Sequence, residues 1–210
     1  MNESVNEKLK IKERFSTRRV EALSDGVFAF AMTLLVLNIA IPSIRSINTN
    51  AELWQALRDQ MPAFISFVVS FFILAAMWGV HMRQFESLEK VDRRFVFINN
   101  LRLLSVIFVA FSTGLAGNYP NLELARMILP INFFILAVIS SWQGHYATSV
   151  NPPLISNTDK AEIKRHDTRS MFFVFFAGVV VAGSYFVGTL AFAIFILMPL
   201  VIKLTERKDK

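Results

Sequence analysis

Residues 170–202 of this chain read SMFFVFFAGVVVAGSYFVGTLAFAIFILMPLVI, a run of 33 residues without a charged side chain. As one α-helix the run would extend about 50 Å, which exceeds the roughly 30 Å hydrocarbon core of a bilayer. A turn near Gly183, Ser184 and Gly188 would divide it into two short helices joined tightly. We therefore expect two membrane spans in this run.

Four shorter apolar runs precede it, each close to the roughly 20 residues that one membrane crossing needs. The whole chain, 1–210, is thus predicted to be one all-α integral membrane domain of six transmembrane helices. The predicted spans are 20–43, 60–82, 96–118, 122–146, 168–184 and 186–204. In the first outer connection, Leu53, Trp54 and Leu57 predict a short helix on the outer surface, with Trp54 at the membrane interface.

Charge placement predicts the orientation of these spans. The formal net charge is +6, but the basic residues form short clusters between long uncharged runs, so we expect no nucleic-acid partner. With both termini in the cytoplasm, 18 of the 22 Lys and Arg residues fall in cytoplasmic segments. A five-span arrangement would place the basic C-terminal tail outside, so the positive-inside rule favours six spans.

Polar residues cluster at the inner start of the first span, at Arg19, Glu21, Ser24 and Asp25. Ser24 or Asp25 could simply cap a helix or meet the cytoplasmic interface. However, an ionisable group so close to hydrocarbon is costly without a partner, which Arg19 or a neighbouring helix would supply. Both interpretations remain open from the residues alone.

Residues 19–25, RVEALSD, followed by GVFAFAMTLLVL at 26–37, resemble the RxxxFSD signature of the prokaryotic TMEM175 family of potassium channels. Chain length and span count are also similar to those of its single-repeat members, although Leu23 stands where the family usually has Phe. The resemblance implies a homotetrameric, potassium-permeable cation channel in a bacterial plasma membrane. In such a channel the first helix of each copy lines the pore, and there is no P-loop filter.

Aligned from Asp25, the resemblance places the apolar pore constriction at Phe30, Leu34 and Leu37, with Thr33 beside them. Their spacing puts all four on one helical face, which could equally be an ordinary packing face. In the pore interpretation, apolar rings gate by dewetting and Thr33 offers a polar position for ions or water, so it is the candidate selectivity residue. Phe30 replaces a common Ile, and it could tighten the gate, alter selectivity or face a neighbouring helix.

The resemblance also implies that Trp78 and His81 on the second span hold the motif through hydrogen bonds. The alternative for this pair is an interfacial Trp and a solvated His. Similar logic gives a supporting role to Asn99, Asn100 and Arg102 on the third span, because polar groups at that depth must pair with something. Arg102 could reach an acidic residue of the motif or snorkel to the cytoplasmic interface.

No hydrolase, metalloprotease, P-loop or dinucleotide motif occurs in the sequence. We therefore expect no enzyme, no cofactor and no metal other than permeating K⁺ or similar monovalent cations. The expected partners are copies of the chain itself and membrane lipid. A secondary transporter or a proton-conducting protein that uses Asp25 is the alternative, although the sequence lacks a clear internal repeat. A membrane scaffold also stays open.

Overall fold

The structure, a computed structural model, describes residues 15–39, 47–88, 90–151, 153–155, 160–187 and 191. It is almost entirely helical. In chain order the helices are α1 Thr17–Leu34, α2 Asn50–Asp59, α3 Met61–Glu86, α4 Arg93–Asn118, α5 Glu123–Ser149 and α6 Lys160–Val187. A 3-10 turn, Leu35–Asn38, continues α1, and a two-residue strand β1, Phe15–Ser16, pairs antiparallel with β2, Lys90–Val91.

Four helical segments are long and apolar enough to cross a membrane. They are Thr17–Asn38, Met61–Glu86, Arg93–Asn118 and Glu123–Ser149. The first four predicted spans fall on these segments, so the chain is a multi-pass membrane protein. The short helix predicted from Leu53, Trp54 and Leu57 is α2, which lies between the first two of these segments.

The predicted turn near Gly183 and Ser184 is wrong for these two residues, because α6 continues through both to Val187. Ser184 is fully buried, and a Cβ on Gly183 would lie 3.3 Å from the Cβ of Ala191, so both positions pack closely rather than form a loop. Small residues are well tolerated in membrane helices that pack against a neighbour. Gly188 and most of the predicted sixth span lie outside the described residues.

Helix α1 packs against α3 and α4 along one face. Its buried residues are Ser24, Phe28 and Ala31, followed by Leu35 in the 3-10 turn. This spacing repeats every three to four residues and therefore marks one side of the helix. The opposite side of α1 is left exposed.

A second apolar cluster joins the connections at one end of the bundle. It contains Phe85, Leu88, Val91, Phe95, Ala147 and Leu154. The carboxylate of Asp92 lies beside it, accepting hydrogen bonds from the backbone N–H of Phe95 at 2.8 Å and from the Tyr146 hydroxyl at 2.6 Å. Asp92 thus caps the start of α4 and ties it to the end of α5.

Two glycines of α4 allow close approach of neighbouring segments. The amide of Asn38 lies against Gly114 and donates a hydrogen bond to the Ala110 carbonyl at 2.8 Å. One turn further, a Cβ on Gly117 would lie 2.7 Å from the Cα of Ala63, at the start of α3. The backbones of α3 and α4 therefore touch here.

We expect Gly117→Ala to destabilise the protein, because the new methyl would meet backbone atoms that can move only if α3 moves. The loss in free energy of unfolding should be about 1–3 kcal/mol, as for other overpacked interiors. Equilibrium unfolding of the purified protein in detergent measures it.

The matched control is Gly79→Ala in α3, where the nearest atom is the end of the Arg83 side chain at 3.8 Å. That variant should be unchanged or more stable, because Ala favours a helix by about 1 kcal/mol over Gly. Equal stabilities of the two variants would contradict a tight α3–α4 contact at Gly117.

Candidate functional site

The side of α1 that faces away from the bundle carries most of the residues assigned above to a pore. Phe30 is 65% exposed and Leu37 is 74% exposed. Thr33 is also exposed, whereas Leu34 is half-buried at the edge of the same side. Within the described part of the chain, this surface is thus left open by the other helices.

Thr33 presents an acceptor on this exposed side. Its hydroxyl donates a hydrogen bond to the Phe30 carbonyl at 2.8 Å, which uses its one hydrogen within the helix. The lone pairs of Thr33 Oγ1 can still accept a hydrogen bond from water or coordinate a cation.

Asp25 lies well inside α1, whose N-cap residue is Ser16. Its Oδ1 accepts a hydrogen bond from the indole Nε1 of Trp78 on α3 at 2.8 Å, and both side chains are half-buried. Ser24 is also inside the helix, with its hydroxyl donating to the Val20 carbonyl at 2.8 Å. The helix-capping interpretation of Ser24 and Asp25 is therefore wrong.

A buried chain of amides connects Ser24 to two other helices. Asn99 of α4 donates through Nδ2 to Ser24 Oγ at 3.0 Å. Gln143 of α5 donates through Nε2 to Asn99 Oδ1 at 3.1 Å. All three side chains are buried, so each hydrogen bond satisfies a group that has no access to water.

Arg102 of α4 is fully buried and joins the same network. Its Nη1 donates to the amide oxygens of Gln84 at 2.8 Å and Gln143 at 2.9 Å, while Nη2 lies 3.5 Å from the Met77 carbonyl. The guanidinium carbon is 5.8 Å from the centre of the Phe28 ring. The snorkelling alternative is therefore wrong, and the partners of this cation are neutral groups rather than an acid of the motif.

His81 of α3 is fully buried, so the interpretation of a solvated His is wrong. Its ring centre lies 5.5 Å from that of Phe28 and 4.3 Å from that of Phe85. Neither ring nitrogen has a hydrogen-bond partner among the described residues. His81 thus contacts α1 through its ring, not through the hydrogen bond that the resemblance implied.

Arg19 is exposed at the beginning of α1. The hydrogen bond that the structure gives Asp25 comes from Trp78 of α3, so within the described residues its partner lies on a neighbouring helix and is not Arg19. The structure thus brings together Ser24, Asn99 and Arg102 in one network. It leaves Arg19 and the exposed Asn100 apart from this network.

Gln84 and Gln143 are the network residues that sequence reasoning missed. Each is an amide within an apolar membrane segment, a position at which a polar group needs a partner. This signal could have marked both as candidates, although it would not have identified Arg102 as their common partner.

We expect Asn99→Ala to lower the free energy of unfolding by about 1–3 kcal/mol, because it removes the donor to Ser24 Oγ and leaves the buried Nε2 of Gln143 without its acceptor. Asn100→Ala is the matched control, since Asn100 is the next residue of α4 and is exposed. It should change stability by less than about 0.5 kcal/mol. Unfolding in detergent compares the two, and similar losses would contradict a structural role for the buried chain.

Comparison with known proteins gives a consistent family. The family model "Endosomal/lysosomal potassium channel TMEM175" matches residues 19–109. A protein of Chamaesiphon minutus named a potassium channel is 33% identical over 154 residues, which cover 72% of this chain and 75% of the relative. A Gallus gallus protein named an endosomal/lysosomal proton channel, TMEM175, is 33% identical over 114 residues, or 52% of this chain and 22% of that protein.

The fold is similar to a solved channel structure. The crystal structure of a lysosomal potassium-selective channel TMEM175 homolog from Chamaesiphon minutus superposes with a TM-score of 0.77 and 28% identity, covering 90% of this chain and 97% of the other. These relatives are named as channels, which confirms the prediction that the chain is not an enzyme. The family resemblance of the Arg19 to Asp25 motif is confirmed as well, and the chain belongs to the TMEM175 family.

Proposed function

We propose that the chain forms a homotetrameric, potassium-permeable cation channel whose pore is lined by α1. The observation that carries the proposal is the exposed side of α1, where Phe30, Thr33 and Leu37 project from a helix whose other side is fixed in the bundle. The name of the Chamaesiphon minutus relative, a potassium channel, supports the choice of ion.

One copy of α1 cannot enclose a pore, because its single exposed side can form only one part of the pore wall. Several copies placed around a common axis would bring equivalent surfaces together, and closed rotational symmetry is the usual way for identical chains to assemble. The number four follows from the family resemblance. Phe30, Leu34 and Leu37 would then form apolar rings along the axis.

Conduction through such a pore needs no P-loop filter. Apolar rings narrow enough to exclude water would close the path by dewetting. Between them, the outward lone pairs of Thr33 would supply one oxygen per copy, in place of some of the water around a K⁺ ion. Asp25 sits nearer the start of α1, where Trp78 holds one of its oxygens.

The orientation with six spans and both termini in the cytoplasm belongs to the same proposal, as does a bacterial plasma membrane as the location. Two contacts support it. The β1–β2 pair brings the start of the described chain beside the α3–α4 connection, and a bridge joins Leu88 to Ile155 in the α5–α6 connection. Three basic segments would therefore share one side of the membrane, as the positive-inside rule requires.

Proton conduction is a second candidate function. Asp25 is a half-buried carboxylate on the proposed pore helix, and one relative is named a proton channel. A carboxylate in a membrane segment can take up and release protons during transport. In this case, Asp25 would be a relay rather than an anchor for Trp78.

Flux measurements separate these candidates. In liposomes with a K⁺ gradient, the protein should generate a membrane potential set by K⁺, and a pH gradient alone should generate little. A potential that follows the pH gradient and disappears in Asp25→Asn would instead support proton conduction. Potassium movement coupled to protons at fixed stoichiometry would contradict a channel and support a transporter.

Cysteine accessibility tests the pore assignment, and the chain is suited to it because it contains no Cys. In L37C, a positively charged thiol reagent should reduce K⁺ current, because modification would place a cation in the path. The matched control is L104C on α4, whose native Leu is 63% exposed. Modification of L104C should leave the current unchanged. Block of L104C but not L37C would assign the pore to another surface.

A further inference from the structure

Helix α2 is well built although none of its residues is buried. Thr49 and Glu52 form a reciprocal capping box, and the backbone N–H groups of Asn48 and Thr49 donate to the Glu52 carboxylate at 2.7 and 3.0 Å. These bonds, that from Asn48 first, hold the pKa of Glu52 below its ordinary value. Local contacts thus define α2 without support from a core.

The end of α2 is equally well defined. Pro62 lacks a backbone N–H, so the hydrogen bond that would run from it to the Arg58 carbonyl cannot form. The helix therefore ends at Asp59, and α3 begins two residues later at Met61. A short, separate helix stands at the beginning of a membrane-spanning one.

Apolar side chains line one side of α2. Leu53 is 42% exposed, Trp54 is 59% exposed and Leu57 is 48% exposed. The other side carries Gln55 and Asp59, whose side chains share a hydrogen bond of 3.1 Å. A helix that is apolar on one side, polar on the other and packed on no core is typical of an interfacial membrane helix.

The apolar side of α2 is followed by exposed apolar residues at the start of α3. Met61 and Phe64 are each 48% exposed, on a helix that is long and apolar enough to cross a membrane. If lipid covers these exposed residues of α3, it also reaches the apolar side of α2, which comes just before them in the chain. The continuity of the two exposed apolar surfaces favours lipid as the partner of α2.

A cation lies next to the apolar side. The Arg58 guanidinium carbon is 5.3 Å from the centre of the Trp54 ring. Trp and Arg together match the layers of a membrane surface, where the indole sits at headgroup level and the guanidinium meets lipid phosphates.

We propose that α2 is an interfacial anchor that inserts Leu53, Trp54 and Leu57 at the boundary between headgroups and acyl chains, with Arg58 at the lipid phosphates. The proposal concerns the bilayer and does not depend on ion conduction. In this position, α2 would hold the beginning of α3 at a fixed depth in the membrane.

Tryptophan quenching in vesicles of brominated phosphatidylcholine tests the proposal. The chain has three Trp residues, so the emission of Trp54 is obtained as the difference between the protein and Trp54→Phe. Interfacial helices lie roughly 5–10 Å into the boundary, so bromines near the headgroup should remove about half of this emission and bromines near the chain ends much less. Quenching that is absent, or strongest for the deepest bromines, would overturn the proposal.

The matched control moves the indole to the polar side, as Gln55→Trp combined with Trp54→Phe. Its added emission should resist every brominated lipid, and equal quenching of both positions would contradict a one-sided insertion. If brominated lipids do not quench Trp54 and Trp54→Ala lowers the oligomeric mass in detergent, the apolar side of α2 instead contacts a second copy of the chain. Loss of K⁺ flux alone bears on the proposed channel and not on this anchor.

Discussion

The buried guanidinium of Arg102 needs hydrogen-bond acceptors from neighbouring helices, and the arrangement of the bundle depends on this requirement. A cation in this interior is costly unless its donors are satisfied, and here the amide oxygens of Gln84 and Gln143 satisfy Nη1. Those amides come from α3 and α5, whereas Arg102 belongs to α4. Because Gln143 also donates to Asn99, the same network continues to α1. Four helices are thus held by polar contacts in a surrounding that offers little water.

For α1, the consequence is a fixed rotation about its own axis. Ser24 and Asp25 are successive residues and therefore point about 100° apart on the helix. Ser24 accepts from Asn99 of α4, and Asp25 accepts from Trp78 of α3. Two contacts in different directions leave one orientation for the helix. The side with Phe30 and Leu37 then faces away from the bundle, as our proposal for the pore requires.

How much the sequence reveals depends on the range of the interaction. Charge-free runs predict the first four membrane helices because hydrophobic length is a local property. The need for partners at Asn99 and Arg102 was also predictable, but Gln84 and Gln143 were not identified, since helix packing decides which amide is in reach. The prediction of a turn at Gly183 and Ser184 was wrong, because small residues occur in closely packed helices as well as in turns. The burial of His81 required the structure, because the Phe28 ring beside it belongs to another helix, α1.

A density map of the assembled protein in lipid, with Rb⁺ or Tl⁺ replacing K⁺, would decide whether the fixed rotation of α1 produces a conduit. We predict ion density on an axis surrounded by copies of α1, with Thr33 oxygens and Leu37 side chains facing it. An axis lined by another helix, with Phe30 and Leu37 against lipid, would contradict this description of the protein.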